Sequence, residues 1–285
     1  MKLFDALKIY PQHILPQHAL SGIMNRLARS RNKPLKNFII QCVKRIYKIN
    51  MDDARTAKLN DFPTFNHFFT RALKPEARPI CQKTATIACP VDGAVSQIGH
   101  IKGTQVFQAK GHDYSLHALL GDDKTSSLFH DGHFATIYLS PKDYHRIHAP
   151  LQAQLKKMTY IPGKLFSVNT VTTEHVPGLF ARNERVVSLF QTEAGPMAVV
   201  LVGAIFVSSI ETVWAGTITP PYSKKIRHWT YENETITLKK GDELGRFNMG
   251  STVILLFPRD KMAFDNTIKA GTNVRMGQCI GKITP

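Results

Sequence analysis

Leu35, Phe38, Ile39, Cys42, Val43, Ile46 and Ile49 recur at three- and four-residue spacing, the repeat that gathers side chains on one face of an α-helix. Lys36, Lys44, Arg45 and Lys48 fall on its other faces. Upstream, Pro16 is suited to open a helix carrying Leu20, Ile23, Met24 and Leu27, with Arg26 and Arg29 beside them. Residues 1–75 therefore read as a basic, amphipathic helical region. Such helices either pack their apolar stripes on a protein body or lie in the headgroup layer of a membrane, and the pattern alone leaves both open. The aromatic run from Pro63 to Thr70 and the basic, proline-containing stretch Arg71 to Pro79 mark the passage from this helical region to the remainder of the chain.

Over residues 76–285 the pattern becomes short apolar, β-branched runs separated by Gly, Pro, Asp and Asn. Val95–Ile101, Phe134–Leu139, Val186–Phe190, Met197–Val202 and Thr235–Leu238 are examples. Residues 240–245 and 276–281 read as tight turns between strands. Phe247-Asn248-Met249-Gly250-Ser251-Thr252 runs straight into Val253–Phe257, a further candidate for a buried strand. The expected fold class is α+β: a mostly β main domain, sandwich- or barrel-like, with an N-terminal helical region.

The chain has 285 residues, enough for one substantial core, and its 43% hydrophobic and 20% charged residues describe a folded protein. No apolar run is long enough to cross a bilayer. Asp5 falls where a secretion signal needs an apolar stretch. Cys42, Cys81, Cys89 and Cys279 show no metal-binding spacing and read as reduced thiols. Thirty-seven basic against 21 acidic residues give a formal charge of +16, which favours nucleic acid or anionic lipid. Charge alone does not choose between them, and no nucleic-acid module is recognisable.

Three stretches carry candidate chemistry. Asp92 lies in the turn of Cys89-Pro90-Val91-Asp92-Gly93. His145 and His148 are three apart in Tyr138-Leu139-Ser140-Pro141-Lys142-Asp143-Tyr144-His145-Arg146-Ile147-His148-Ala149-Pro150. Ser251 follows a glycine and precedes a strand. A metal pair would need further ligands from His112, His117, His130 or His133, at no recognised spacing, so no metal is expected. Asp, His and Ser together make a nucleophilic set, because serine needs a base and the base needs an orienting partner. Ser251 lacks the Gly-x-Ser-x-Gly elbow of the α/β-hydrolases. The residues alone leave open a serine hydrolase acting on an external ester, a self-cleaving protein, and a basic binding protein without chemistry.

Several motifs in fixed order resemble those of the bacterial phosphatidylserine decarboxylases, pyruvoyl-dependent enzymes made as self-cleaving proenzymes. They include Phe65 to Pro79, Pro90 to Gly93, Lys110-Gly111, Tyr114 to Leu116, Leu119 to Gly121 and residues 138–150. Pro162 to Asn169, Phe180 to Arg185, Val202 to Ala204 and Gly245 to Phe247 continue the series. Met249 stands where the family usually has leucine before Gly-Ser-Thr, a change of little volume or polarity. The resemblance implies cleavage between Gly250 and Ser251 into a β chain, 1–250, and an α chain, 251–285, that stay associated. His148, oriented by Asp92, would deprotonate Ser251, which becomes a covalent pyruvoyl group. Its carbonyl would engage the amine of phosphatidylserine and accept electrons as carbon dioxide leaves, giving phosphatidylethanolamine, with His145 at the substrate carboxylate. The resemblance also implies that the N-terminal helical region contacts a membrane, and favours an anionic membrane surface as partner, on the cytoplasmic face of the inner membrane. A homodimer is an assembly that the sequence leaves open.

Overall fold

Asn32 caps the best-defined helix near the N-terminus, its side chain accepting the Leu35 N–H at 3.0 Å, with Pro34 in the first turn. The computed structural model describes residues 3–206, 209–232, 234–248 and 251–284, and within it three helices lead the chain. These are α1 (Leu3–Ile14), α2 (Gln17–Ala28) and α3 (Lys33–Tyr47). None of the described helices is long and apolar enough to cross a membrane.

The face of α3 differs from the one its spacing predicts. Ile40 is fully buried and Lys36 turns inward, its Nζ donating to Asn37 Oδ1 at 2.7 Å and the Asn60 carbonyl at 3.3 Å. Phe38 and Ile46 are instead 67% and 71% exposed, and Leu35 is exposed as well. The apolar arc is wider than the protein surface that meets it. Helix α4 (Phe65–Phe69) and the turn at Leu59–Asp61 pack on only one side of α3. That contact is a separate small core of Ala28, Ile40, Ile49, Phe62, Phe65, Phe68 and Phe69.

Polar side chains tie the helices to the main body. Gln12 Oε1 accepts the Ser167 N–H at 2.8 Å, and Gln17 Oε1 accepts that of Leu165 at 2.7 Å. Arg29 pairs with Glu211 at 3.0 Å.

The main body is built on a nine-stranded antiparallel sheet. Its order is Arg227–Thr230, Ala153–Ile161, Arg185–Thr192, Gly195–Val202, Ser251–Phe257, His133–Leu139, Gly93–His100 and Asn273–Val274, with Thr237–Leu238 also on Ala153–Ile161. Ser251–Phe257 lies in the middle. Val253 to Phe257 are buried completely, which is why this stretch reads as an unbroken apolar run rather than an alternating one. Thr252 sits between Tyr138 on one neighbour and Val202 on the other.

A second antiparallel sheet has the order Gly216–Thr219, Ile210–Thr212, Glu243–Phe247 and Arg146–His148. The chain passes from Glu243–Phe247 in this sheet to Ser251–Phe257 in the larger one with only residues 248–250 between them. The position expected to be cut therefore joins two sheets. Met249 and Gly250 lie outside the described residues, as does the side chain of Ser251.

Candidate active site

The segment after strand His133–Leu139 contacts the chain on both sides of residues 249 and 250. Ser251 pairs with Leu139 in the large sheet. In the small sheet the Phe247 N–H donates to the His145 carbonyl at 3.1 Å. The Asn248 N–H donates to the Ser209 carbonyl at 3.0 Å. Residues 139–145 are folded back by a tight turn. Asp143 Oδ2 accepts the Ser140 N–H and hydroxyl, each at 2.7 Å, and the Asp143 N–H returns to the Ser140 carbonyl at 2.9 Å.

His145 is fully buried at the end of this turn. Its ring stacks on Phe69, with centroids 4.1 Å apart and planes at 22°. Nε2 lies 3.1 Å from the Ser140 carbonyl. A carbonyl only accepts, so Nε2 carries the hydrogen and Nδ1 keeps its lone pair. That Nδ1 is buried and has no hydrogen-bond partner among the described residues. Burial, and then the nearby Arg71 cation, push the His145 pKa down to about 3. The ring is therefore neutral at neutral pH, with a desolvated basic nitrogen.

His148 sits on the neighbouring strand opposite Glu243, and its N–H donates to the Pro90 carbonyl at 2.9 Å. Its Nδ1 donates to the Gly241 carbonyl at 2.7 Å. Gly241 has φ +89°, a conformation suited to glycine, and a Cβ there would lie 2.8 Å from the Ile80 side chain. Nε2 accepts the Tyr144 hydroxyl at 3.0 Å. Burial first, partly offset by the Gly241 bond, lowers the His148 pKa. Burial also raises the Tyr144 hydroxyl to about 12, so it stays a donor.

Asp92 is held elsewhere than the sequence suggests. Arg78 Nε donates to its two oxygens at 2.9 and 3.1 Å, and Arg78 Nη2 reaches Oδ2 at 2.5 Å. The Met276 N–H adds a bond of 2.8 Å to Oδ1. A direct hydrogen bond from Asp92 to His148 is not among the described contacts. Arg78, which also binds Asp53 at 2.8 Å, occupies the carboxylate, and the Gly241 carbonyl takes the imidazole N–H instead. Asp92 acts on His148 through charge, favouring its protonated form. The strand Gly93–His100 approaches closely: a Cβ at Gly93 would run into the Tyr138 carbonyl oxygen.

The structure thus places His145 against Phe247 and Ser251 opposite Leu139, on either side of residues 249 and 250. His148 lies further along the small sheet opposite Glu243, with Asp92 acting on it through charge. Four neighbours were not foreseen as site residues. Tyr144 was visible in the histidine motif, and Phe69, Arg71 and Arg78 lie in the stretch that reads as a passage between regions.

The model of the family Phosphatidylserine decarboxylase matches residues 65–282 of this chain, and a second, described as PSD, matches residues 7–48. Proteins named phosphatidylserine decarboxylase proenzyme are similar over nearly the whole length. That of Shewanella pealeana is 53% identical over 284 residues, covering 98% of this chain and 99% of its own. That of Shewanella loihica is 54% identical with the same coverage. That of Hahella chejuensis is 52% identical, covering 99% of this chain and 96% of its own. The chain belongs to the phosphatidylserine decarboxylase family.

Proposed function

We propose that this chain is a proenzyme that cuts its own backbone between Gly250 and Ser251 and then decarboxylates phosphatidylserine to phosphatidylethanolamine. The observation that carries the reading is His148. It is a neutral imidazole whose Nδ1–H is fixed by the Gly241 carbonyl, which puts the lone pair on Nε2. The Tyr144 hydroxyl donates there in this structure and gives way to that of Ser251 in the reaction.

In self-cleavage, His148 Nε2 takes the proton of the Ser251 hydroxyl as its oxygen attacks the Gly250 carbonyl carbon. The Gly250–Ser251 C–N bond breaks, leaving an ester and a free amine. Removal of the Ser251 Cα proton expels the Gly250 carboxylate, and water then replaces the nitrogen, which leaves as ammonia. A covalent pyruvoyl group at position 251 supplies an electron-accepting carbonyl for an amine-bearing substrate.

The surroundings suit that group. Residue 251 stays anchored opposite Leu139 at the head of a buried strand, and His145 Nδ1 is a buried acceptor without a partner among the described residues. His145 serves turnover, handling a proton at Nδ1 beside the substrate carboxylate, while His148 serves cleavage. The fragments 1–250 and 251–285 remain together through the central strand.

The helical region 1–75 acts as the lipid-facing appendage of the catalytic body 76–285. Leu7, Tyr10 and Ile14 on α1 are exposed, Ile14 by 87%, and form an apolar patch with Leu15. Ile23 and Leu27 on α2, and Leu35, Phe38 and Ile46 on α3, are exposed as well. So much exposed apolar surface on a basic chain fits peripheral binding to an anionic leaflet, the cytoplasmic face of the inner membrane. A homodimer joined through these helices is the competing arrangement.

Intact-mass spectrometry of the purified protein tests the chemistry, together with carbon dioxide release from phosphatidylserine. Two fragments, the smaller with a keto terminus that reacts with hydroxylamine, are expected. An intact chain labelled at Ser251 by an organophosphate would instead indicate a hydrolase.

A further inference from the structure

Arg71 is 5% exposed, yet it forms no ion pair among the described residues. Its Nη2 donates to the Lys142 carbonyl at 3.3 Å, and the Phe68 ring lies 5.8 Å from its guanidinium carbon. Nε and Nη1 are buried with no hydrogen-bond partner among the described residues. A buried guanidinium with two idle donors is costly unless something arrives to meet them.

Arg71 lines a cleft of about 260 Å³, whose wall also includes Asp92 and Tyr144. Lys48, Lys142 and Arg275 line it too, all three exposed. Three carboxylates face the same space, but each is engaged. Asp53 and Asp92 both bind Arg78, and Asp143 receives the Ser140 N–H and hydroxyl. The cleft is left with an excess of positive charge, and its one deeply buried cation is unsatisfied.

We propose that Arg71 is the anchor for the phosphodiester of the lipid headgroup, with Lys48, Lys142 and Arg275 at the rim. The assignment rests on the decarboxylase reading and adds a binding residue to it. The planar guanidinium presents a fork of donors that matches phosphate oxygens. The alternative anion is the substrate carboxylate, and the chemistry argues against it. A carboxylate loses its charge as carbon dioxide leaves, so an ion pair with Arg71 would stabilise the ground state more than the transition state. The phosphodiester keeps its charge throughout and can be held without hindering the reaction.

Two placements agree. Lys48 follows the C-terminus of α3, two residues after exposed Ile46, so the cleft opens beside the helix proposed to touch the bilayer. Arg71 is also the cation that opposes protonation of His145. An anion on Arg71 would weaken that opposition and couple lipid arrival to proton uptake at His145.

The test uses the self-cleaved protein and short-chain, monomeric lipids, which removes the membrane from the comparison. Dihexanoyl-phosphatidylethanolamine has the phosphodiester and the amine and lacks the carboxylate, so the change in its dissociation constant between variant and wild type, read by titration calorimetry, reports the phosphate without the carboxylate. In Arg71→Gln that constant and the KM for dihexanoyl-phosphatidylserine should rise together, by roughly tenfold to a hundredfold, with kcat within about twofold. Arg71→Lys should recover part of the loss. Self-cleavage shows that each variant folds. If neither does, the exposed pair Lys142→Glu and Arg275→Glu should weaken phosphatidylethanolamine binding by about threefold to tenfold. A raised KM with unchanged phosphatidylethanolamine binding would assign Arg71 to the carboxylate and overturn the proposal. Equal binding by variant and wild type would overturn it too, as would inorganic phosphate binding as tightly as the lipid. A wild-type protein that binds the lipid but releases no carbon dioxide would defeat the decarboxylase reading while the binding comparison still decides the role of Arg71.

Discussion

The ring of His148 reaches the Gly241 carbonyl oxygen at 2.7 Å, and this contact fixes which nitrogen is basic. The imidazole is oriented by backbone, while the Asp92 carboxylate is held by Arg78 and reaches it through charge. His148→Ala should therefore slow self-cleavage by roughly 10²–10⁴-fold, the usual worth of a general base. Asp92→Asn removes a distant charge and leaves the Gly241 bond intact, so its cleavage rate should fall by only about tenfold, close to the effect of one lost pKa unit of electrostatic support. Densitometry of precursor and fragments over time gives both rates. Equal arrest in a folded Asp92→Asn protein would place the carboxylate in the proton relay itself.

Ser251→Ala should give one full-length, folded chain that releases no carbon dioxide. In the wild type, the fragments 1–250 and 251–285 should co-elute under native conditions and part only in denaturant. The reason is the central strand, paired on both sides, with Val253 to Phe257 wholly buried. Native gel filtration followed by a denaturing gel checks this. A small fragment lost on native gel filtration would mean that the strand does not hold it.

Much of this architecture was legible in the sequence, for identifiable reasons. The runs at 134–139, 197–202 and 253–257 are apolar because both faces of the central strands are covered, so each announces itself without alternation. The two histidines and Ser251 were found as residue types able to do the chemistry. What orients His148 was hidden, because a main-chain carbonyl such as that of Gly241 leaves no mark in residue identity. Arg78 was hidden differently, as one cation among many in a basic stretch, distinguished only when folding brings Asp92 to it. On α3 the spacing shows which residues are apolar but not how much of the arc other protein covers. It therefore puts Phe38 and Ile46 on a face they share with Val43 yet do not bury with it.

Acid should expose the cost of the two buried imidazoles. Burial depresses His145 to about 3 from an ordinary value of 6.5, and it lowers His148 as well. Between the folded and unfolded values the unfolded chain binds more protons. Stability is therefore intact above about pH 6.5 and declines as the pH falls below it. Each histidine contributes at most about 1.4 kcal/mol per pH unit within its window. His145→Gln should be less stable at pH 7, having lost its stacking on Phe69, but its stability should fall less steeply between pH 6 and pH 4 by roughly that amount. Urea unfolding at a series of pH values measures the slope. Parallel slopes in variant and wild type would mean that His145 is not held neutral.

The exposed helical faces make a prediction that separates lipid binding from catalysis. Phe38 and Ile46 are exposed on α3, and neither belongs to the small core beneath it. Replacing both with aspartate should leave self-cleavage unchanged. Each apolar side chain withdrawn from a bilayer forfeits about 1.5–3 kcal/mol, so vesicle binding should drop by roughly a hundredfold or more for the pair. Co-sedimentation with vesicles containing an anionic lipid reads this out, and raising the salt should weaken wild-type binding further through its basic residues. Turnover of short-chain phosphatidylserine should survive in the double variant while turnover in vesicles is lost. If the variant instead binds vesicles normally and changes from dimer to monomer in sedimentation equilibrium, the face of α3 meets a second copy of the chain and the bilayer is reached from elsewhere.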